Sequence, residues 1–139
     1  MVGLPKSLSK ITLSRSLFEA LLSELLQSPV ERAALLFGSV EGDRAVVSRG
    51  VVAVNEEESP THFRVDPTFL LRVLEEADAR GEEFVGLLHV HPAPPEPSEE
   101  DLEYMEINPV VWIIASRSGE YAAYQLLSGE LRGVEIELT

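Results

Sequence analysis

Two histidines and one aspartate are the residues in this sequence best placed to do chemistry. His89 and His91 end the run Leu88-His89-Val90-His91-Pro92, and Asp101 follows in Ser98-Glu99-Glu100-Asp101. The apolar stretch Phe84-Val85-Gly86-Leu87-Leu88 before them reads as a buried strand. Positions two apart on a strand face one side, so both imidazoles can be presented together. Ser98 reads as the N-cap of a short helix, which brings Asp101 in on the first turn. Two imidazoles and a carboxylate make an N,N,O donor set that can hold a catalytic metal and leave a coordination position for water. A bound metal lowers the pKa of that water toward neutrality, and a neighbouring carboxylate can then take its proton and pass it to a leaving amine.

Each of these residues also has a plainer explanation. A lone histidine at a strand end is ordinarily structural; what sets these apart is that two of the chain's three histidines stand at i and i+2. Ser98-x-x-Asp101 is an ordinary capping box whatever else the acid does, and Glu99, Glu100 and Glu103 compete with Asp101 as ligands. The base has 24 acidic residues to choose from. Among them Glu31 stands out because it opens a hydrophobic strand, where a structural carboxylate gains little; it reads equally as a solvated strand-end acid. Between the two motifs, Pro92-Ala93-Pro94-Pro95-Glu96-Pro97 has few N–H donors and restricted φ, so it acts as a stiff bracket rather than a linker.

The elements that must position these groups follow from local pattern. Lys10–Leu13 is a short strand. Ser14 or Ser16 then caps a helix, with Ser16 and Glu19 as a capping-box pair, and Ser28-Pro29 ends it. Leu17, Phe18, Leu21, Leu22, Leu25 and Leu26 form one apolar stripe, read as core, with a homodimer seam as the alternative. Glu31–Ser39 and Arg44–Val54 are strands around the Glu41-Gly42-Asp43 turn, and Thr61–Val65 is a short edge strand. Asp66-Pro67 opens a second helix that Gly81 stops. Phe84–Val90 is the histidine-bearing strand and Glu99–Met105 the short helix. Pro109–Ala115 is a central strand buried on both faces. Tyr121–Leu127 and Leu131–Leu138 complete an antiparallel set with it.

At 139 residues the chain is expected to form one domain, 1–139, able to bury roughly 65–70% of its unfolded surface. Strands and helices alternate irregularly, which favours an α+β or α/β architecture, and a β/α barrel would need roughly 200 residues or more. There is no cysteine, hence no disulfide framework, thiolate metal site or cysteine nucleophile. No stretch approaches the roughly 18 apolar residues of a membrane span. The first ten residues lack a signal-peptide core, so a cytoplasmic location is expected. A net charge of −13 argues against nucleic-acid binding, which needs a basic face.

Together these residues resemble the JAMM (MPN-plus) zinc metalloproteases. That signature is an upstream Glu, then His-x-His-Pro, a short loop and Ser-x-x-Asp. Here it is met by Glu31, His89-Val90-His91-Pro92 and Ser98-Glu99-Glu100-Asp101, with Pro29–Gly38 similar to the family's Glu-strand-Gly segment. The likeness runs from about Ile11 to Leu127. It implies a cytidine-deaminase-like mixed β-sheet with helices packed on its faces, although deaminases use cysteine ligands absent here. It implies one zinc per chain on His89, His91 and Asp101. Glu31 would be the general base and Ser98 would help to stabilise the oxyanion. Six residues separate His91 from Ser98, one fewer than the commonest family spacing, and Val90 stands where Ser or Thr is usual.

The resemblance makes the expected function zinc-dependent hydrolysis of a peptide or isopeptide bond after the C-terminal Gly-Gly of a ubiquitin-like modifier or sulfur-carrier protein. The apparent lack of long insertions favours a minimal prokaryotic enzyme. In the family the substrate tail pairs with a strand edge, a part assigned here to Glu57–Arg64, with His62 an ordinary surface residue. A close variant releases cysteine from a sulfur-carrier C-terminus. Two readings from other classes are a catalytically idle metal-binding scaffold and a nonheme iron oxygenase, which also uses two His and one carboxylate. Intact Glu31 argues against the scaffold. The close spacing of all three ligands argues against the oxygenase.

Overall fold

The computed structural model describes residues 6–28, 32–55, 65–91 and 94–139. In chain order the elements are β1 (Lys10–Leu13), α1 (Arg15–Gln27), β2 (Ala33–Glu41), β3 (Arg44–Val52) and α2 (Pro67–Ala79). They continue with β4 (Glu83–His91), α3 (Glu99–Ile107), β5 (Val111–Ser116), β6 (Tyr121–Leu127) and β7 (Glu130–Leu138). The architecture is the expected mixed α+β one, with a refinement that local pattern does not contain. The sheet closes on itself in the order β1-β3-β2-β4-β5-β6-β7, with β1 joining its two ends. Lys10–Thr12 pair parallel with Arg44–Val46, and Lys10–Leu13 pair parallel with Glu135–Leu138. β4 and β5 are parallel neighbours; the remaining pairings are antiparallel, including the expected β5-β6-β7 set.

Closure divides the apolar residues into two cores. All seven strands contribute to the inner one, for example Ile11, Leu36, Val47, Leu88, Ile113, Ala123 and Val134, and α1 completes it with Phe18, Leu21 and Leu25. The leucine stripe of α1 is therefore core: Leu17, Leu22 and Leu26 also pack against this cluster. Gly50 seats the helix, since a Cβ there would lie 2.4 Å from Leu21 Cδ1. The outer core lies beneath α2 and α3, where Leu35, Phe37, Leu87 and Trp112 meet Val73, Ala77 and Met105. At the bulge in β2, Gly38 is required because a Cβ would meet the Val46 carbonyl oxygen at 1.8 Å.

Helix boundaries follow their caps. Asp66 accepts from Phe69 N with Pro67 in the first turn, and Gly81 beyond the end of α2 has φ +73°, the left-handed conformation that glycine adopts freely. At α1 the first of the two expected caps is the one used: Ser14 accepts from Leu17 N at 3.1 Å, and the expected Ser16–Glu19 capping box does not start this helix. β2 and α3 each run two residues further than their sequence patterns suggest, and β3 stops two residues early. There the chain turns at Ala53 and Val54, whose backbone groups bond Ala33 and Asp66. The expected Thr61–Val65 strand and the Glu57–Arg64 edge lie outside the described residues, apart from Val65, which forms an isolated antiparallel bridge with Asn55. No helix among the described residues is long and apolar enough to cross a membrane.

Candidate metal centre

β4 carries its histidines out of the core onto the α2/α3 side. Val90 points into the inner core and is 5% exposed, whereas Leu87 belongs to the outer one. Strand alternation therefore sends His89 and His91 to the outer side. His89 is fully buried; His91 is partly buried, and the two rings stand nearly perpendicular, 88°, with centroids 5.6 Å apart. In register, Ala33 of β2 lies beside His89 on one flank and Ser116 of β5 lies beside His91 on the other. β2 thus begins at the histidine end of β4. Glu31 itself lies outside the described residues.

α3 brings the carboxylate. Ser98 caps the helix by accepting from Asp101 N at 3.1 Å, and Asp101 Oδ2 accepts from Ser98 N at 2.9 Å, a reciprocal capping box. An accepting hydroxyl keeps a hydrogen it can donate elsewhere. The same Asp101 carboxylate, only 2% exposed, faces both imidazoles: Oδ1 is 3.4 Å from His89 Nδ1 and Oδ2 is 3.4 Å from His91 Nε2. Burial alone pushes the Asp101 carboxyl up. Hydrogen bonding and charge from His89, with the hydrogen bond that Ser98 N donates to Oδ2, outweigh it and hold the group below its ordinary value.

The donor set suits a divalent ion of borderline softness. Separations of 3.4 Å are longer than a good N–H···O bond. They are near the roughly 3.3 Å between two donors held at about 2.0 Å around a tetrahedral ion. Among the described residues, however, no group of three His, Asp or Glu side chains already converges as a metal cage. Each imidazole addresses its own carboxylate oxygen, so the three are gathered but not closed.

Two groups around this centre gave no signal in the sequence. Tyr124 of β6 donates its hydroxyl to the Pro95 carbonyl at 2.8 Å, tying the proline loop to the sheet. Arg117, just beyond β5, donates to the Leu26 and Ser28 carbonyls at 3.1 and 3.2 Å and holds the end of α1. Both residues bond to distant parts of the chain, 29 positions away for Tyr124 and about 90 for Arg117, and at the level of sequence each looks like any other polar position on a strand or turn.

Residues 14–127 match the family of prokaryotic homologs of the JAB domain, Prok-JAB. The chain is 38% identical over 121 residues to desampylase from Pyrococcus furiosus, covering 86% of this chain and 84% of that protein. It is 25% identical over 134 residues to desampylase from Haloferax volcanii, covering 92% and 96%. The solution structure of a protein from Desulfitobacterium hafniense superposes with a TM-score of 0.80 at 29% identity, covering 93% of this chain and 92% of that one. With four-fifths of its length matched to one family model and a fold shared along nearly all of it, this chain belongs to the Prok-JAB family, a minimal prokaryotic and archaeal group of JAMM type.

Proposed function

We propose that this protein is a zinc-dependent hydrolase that cleaves the peptide or isopeptide bond after the C-terminal Gly-Gly of a ubiquitin-like modifier or sulfur-carrier protein. The observation that carries the reading is the meeting of His89, His91 and Asp101 at the end of β4, in a chain whose relatives are desampylases. His89, His91 and Asp101 are the proposed ligands. Zinc held there supplies Lewis acidity and a water acidic enough to be deprotonated near neutral pH.

The chain's own residues then divide the work. Glu31, two positions before the residue that lies beside His89 in the sheet, takes the water proton and delivers it to the departing amine. Ser98 keeps its hydroxyl hydrogen for the oxyanion that develops on the scissile carbonyl, while its oxygen stays engaged by Asp101 N. Asp101 is fixed before any ligand arrives, because the helix cap holds its carboxylate in place.

The test is incubation of the zinc-loaded protein with Gly-Gly-terminated carriers joined to lysine or to cysteine, read by intact mass. Release from the lysine conjugate is expected; release from the cysteine conjugate alone would reassign the substrate to the amino-acid-linked class. Glu31→Gln is expected to retain zinc and lose cleavage by at least about 100-fold. A Glu31→Gln protein that cleaves normally removes Glu31 from the mechanism, and iron with no zinc in protein purified without added metal overturns the metal assignment.

A further inference from the structure

The loop between His91 and Ser98 decides where the capped end of α3 stands relative to the two imidazoles. Its prolines restrict its internal freedom but do not anchor it to the sheet. Few N–H groups are available for that purpose, and the Glu96 N–H is spent inside the loop on the Pro94 carbonyl at 2.7 Å. The anchor comes from across the sheet. Tyr124, the register partner of Trp112, reaches over to donate its hydroxyl to Pro95, three residues before Ser98. Burial first, and the charge of Glu96 second, push the phenol up from its ordinary value, so the hydroxyl keeps its hydrogen throughout the neutral range.

We infer that Tyr124 is a positioning residue: its bond to Pro95 holds the proline loop, and through it the Ser98–Asp101 cap, at the distance from His89 and His91 that a shared ligand requires. The inference rests on the proposed reading of the centre. It also explains how a loop one residue shorter than the family's commonest spacing keeps its geometry. With fewer residues to absorb a displacement, any shift of Pro95 passes directly to Ser98.

Tyr124→Phe tests this, because it keeps the ring that packs under α3 and deletes only the donor. One neutral hydrogen bond lost from a pre-set geometry is expected to weaken zinc affinity about two- to tenfold, measured by competition with a chromophoric chelator. In the same variant kcat is expected to fall by a similar factor with KM unchanged. Amide exchange at Ser98 and Asp101 in the metal-free chain is expected to accelerate, and melting temperature to fall by about 2–7 °C. Unchanged zinc affinity, kcat and exchange in Tyr124→Phe overturn the inference. So does a drop in melting temperature with affinity and kcat intact, which is the signature of packing alone. A wild-type protein that neither binds zinc nor cleaves any carrier sinks the hydrolase reading instead; exchange at Ser98 and Asp101 then still decides the latch.

Discussion

Replacing Ser98 by Ala, Asp and Thr separates the capping role seen in the structure from the oxyanion role proposed for the same hydroxyl. As N-cap, Ser98 accepts from Asp101 N at 3.1 Å, and loss of such a cap costs about 1 kcal/mol. In a chain of 139 residues that lowers the melting temperature by about 3–5 °C. As an oxyanion donor it would contribute more: deleting one such donor lowers kcat about 10²- to 10³-fold, or roughly 3–4 kcal/mol in the transition state. Alanine removes both roles. Aspartate caps as well as serine but, when ionised, has no hydrogen to give. Threonine keeps both, and the extended backbone of Ser98, φ −81° and ψ 171°, admits a β-branched side chain. Ser98→Ala should therefore lose stability and rate, Ser98→Asp should regain stability alone, and Ser98→Thr should regain most of both. The measurements are calorimetry of the metal-free proteins and single-turnover cleavage by the zinc-loaded ones, with zinc content checked because Asp101 shares the cap. A fall in kcat for Ser98→Ala no larger than about fivefold is what the cap alone explains. That result, or near-normal kcat in Ser98→Asp, would remove Ser98 from the chemistry.

Other expectations concern the frame. Gln125, 1% exposed, accepts from Leu8 N and donates to the Lys6 and Pro109 carbonyls, so Gln125→Leu should destabilise the protein by about 2–4 kcal/mol in a denaturant titration; a loss below about 1 kcal/mol would show that water replaces it. Arg49 makes a forked contact with Glu82 while stacking over Phe37, and this hydrogen bonding holds the Glu82 carboxyl below its usual value of 4.5. A carboxylate depressed on folding adds stability that is complete above its unfolded pKa and is lost as pH falls through the folded one. Melting temperature should therefore decline below about pH 4.5, and less steeply in Glu82→Gln, with identical acid limbs as the refuting result.

The centre was legible in the sequence because its parts are local. His89 and His91 share a face through strand alternation, and Ser98 meets Asp101 through the first turn of one helix; neither depends on distant residues. Asp66-Pro67 and Gly81 bounded α2 for the same reason. The α1 start was ambiguous because Ser14 and Ser16 both satisfy the capping rule, and the structure uses the former. What stayed hidden was long-range pairing. The four residues of β1 carry no mark that they bond two strands at once, so local pattern gives the mixed sheet and its helices but not its closure into a ring. Tyr124 and Gln125 occupy alternate sides of β6, and only the loop and termini they meet distinguish them from any half-buried strand residue.

Ring closure also dictates an order of assembly. Lys10 must find Glu135, and Leu13 must find Leu138, near the opposite end of the sequence, and contacts of such separation form late because the intervening chain must first be ordered. During synthesis the seam cannot shut until β7 has emerged, yet the β2-β4-β5 ladder and the α3 cap need nothing from it. A nascent molecule can therefore hold its histidines and aspartate together while the inner core is still open on one side, and the last strand acts as the step that commits it.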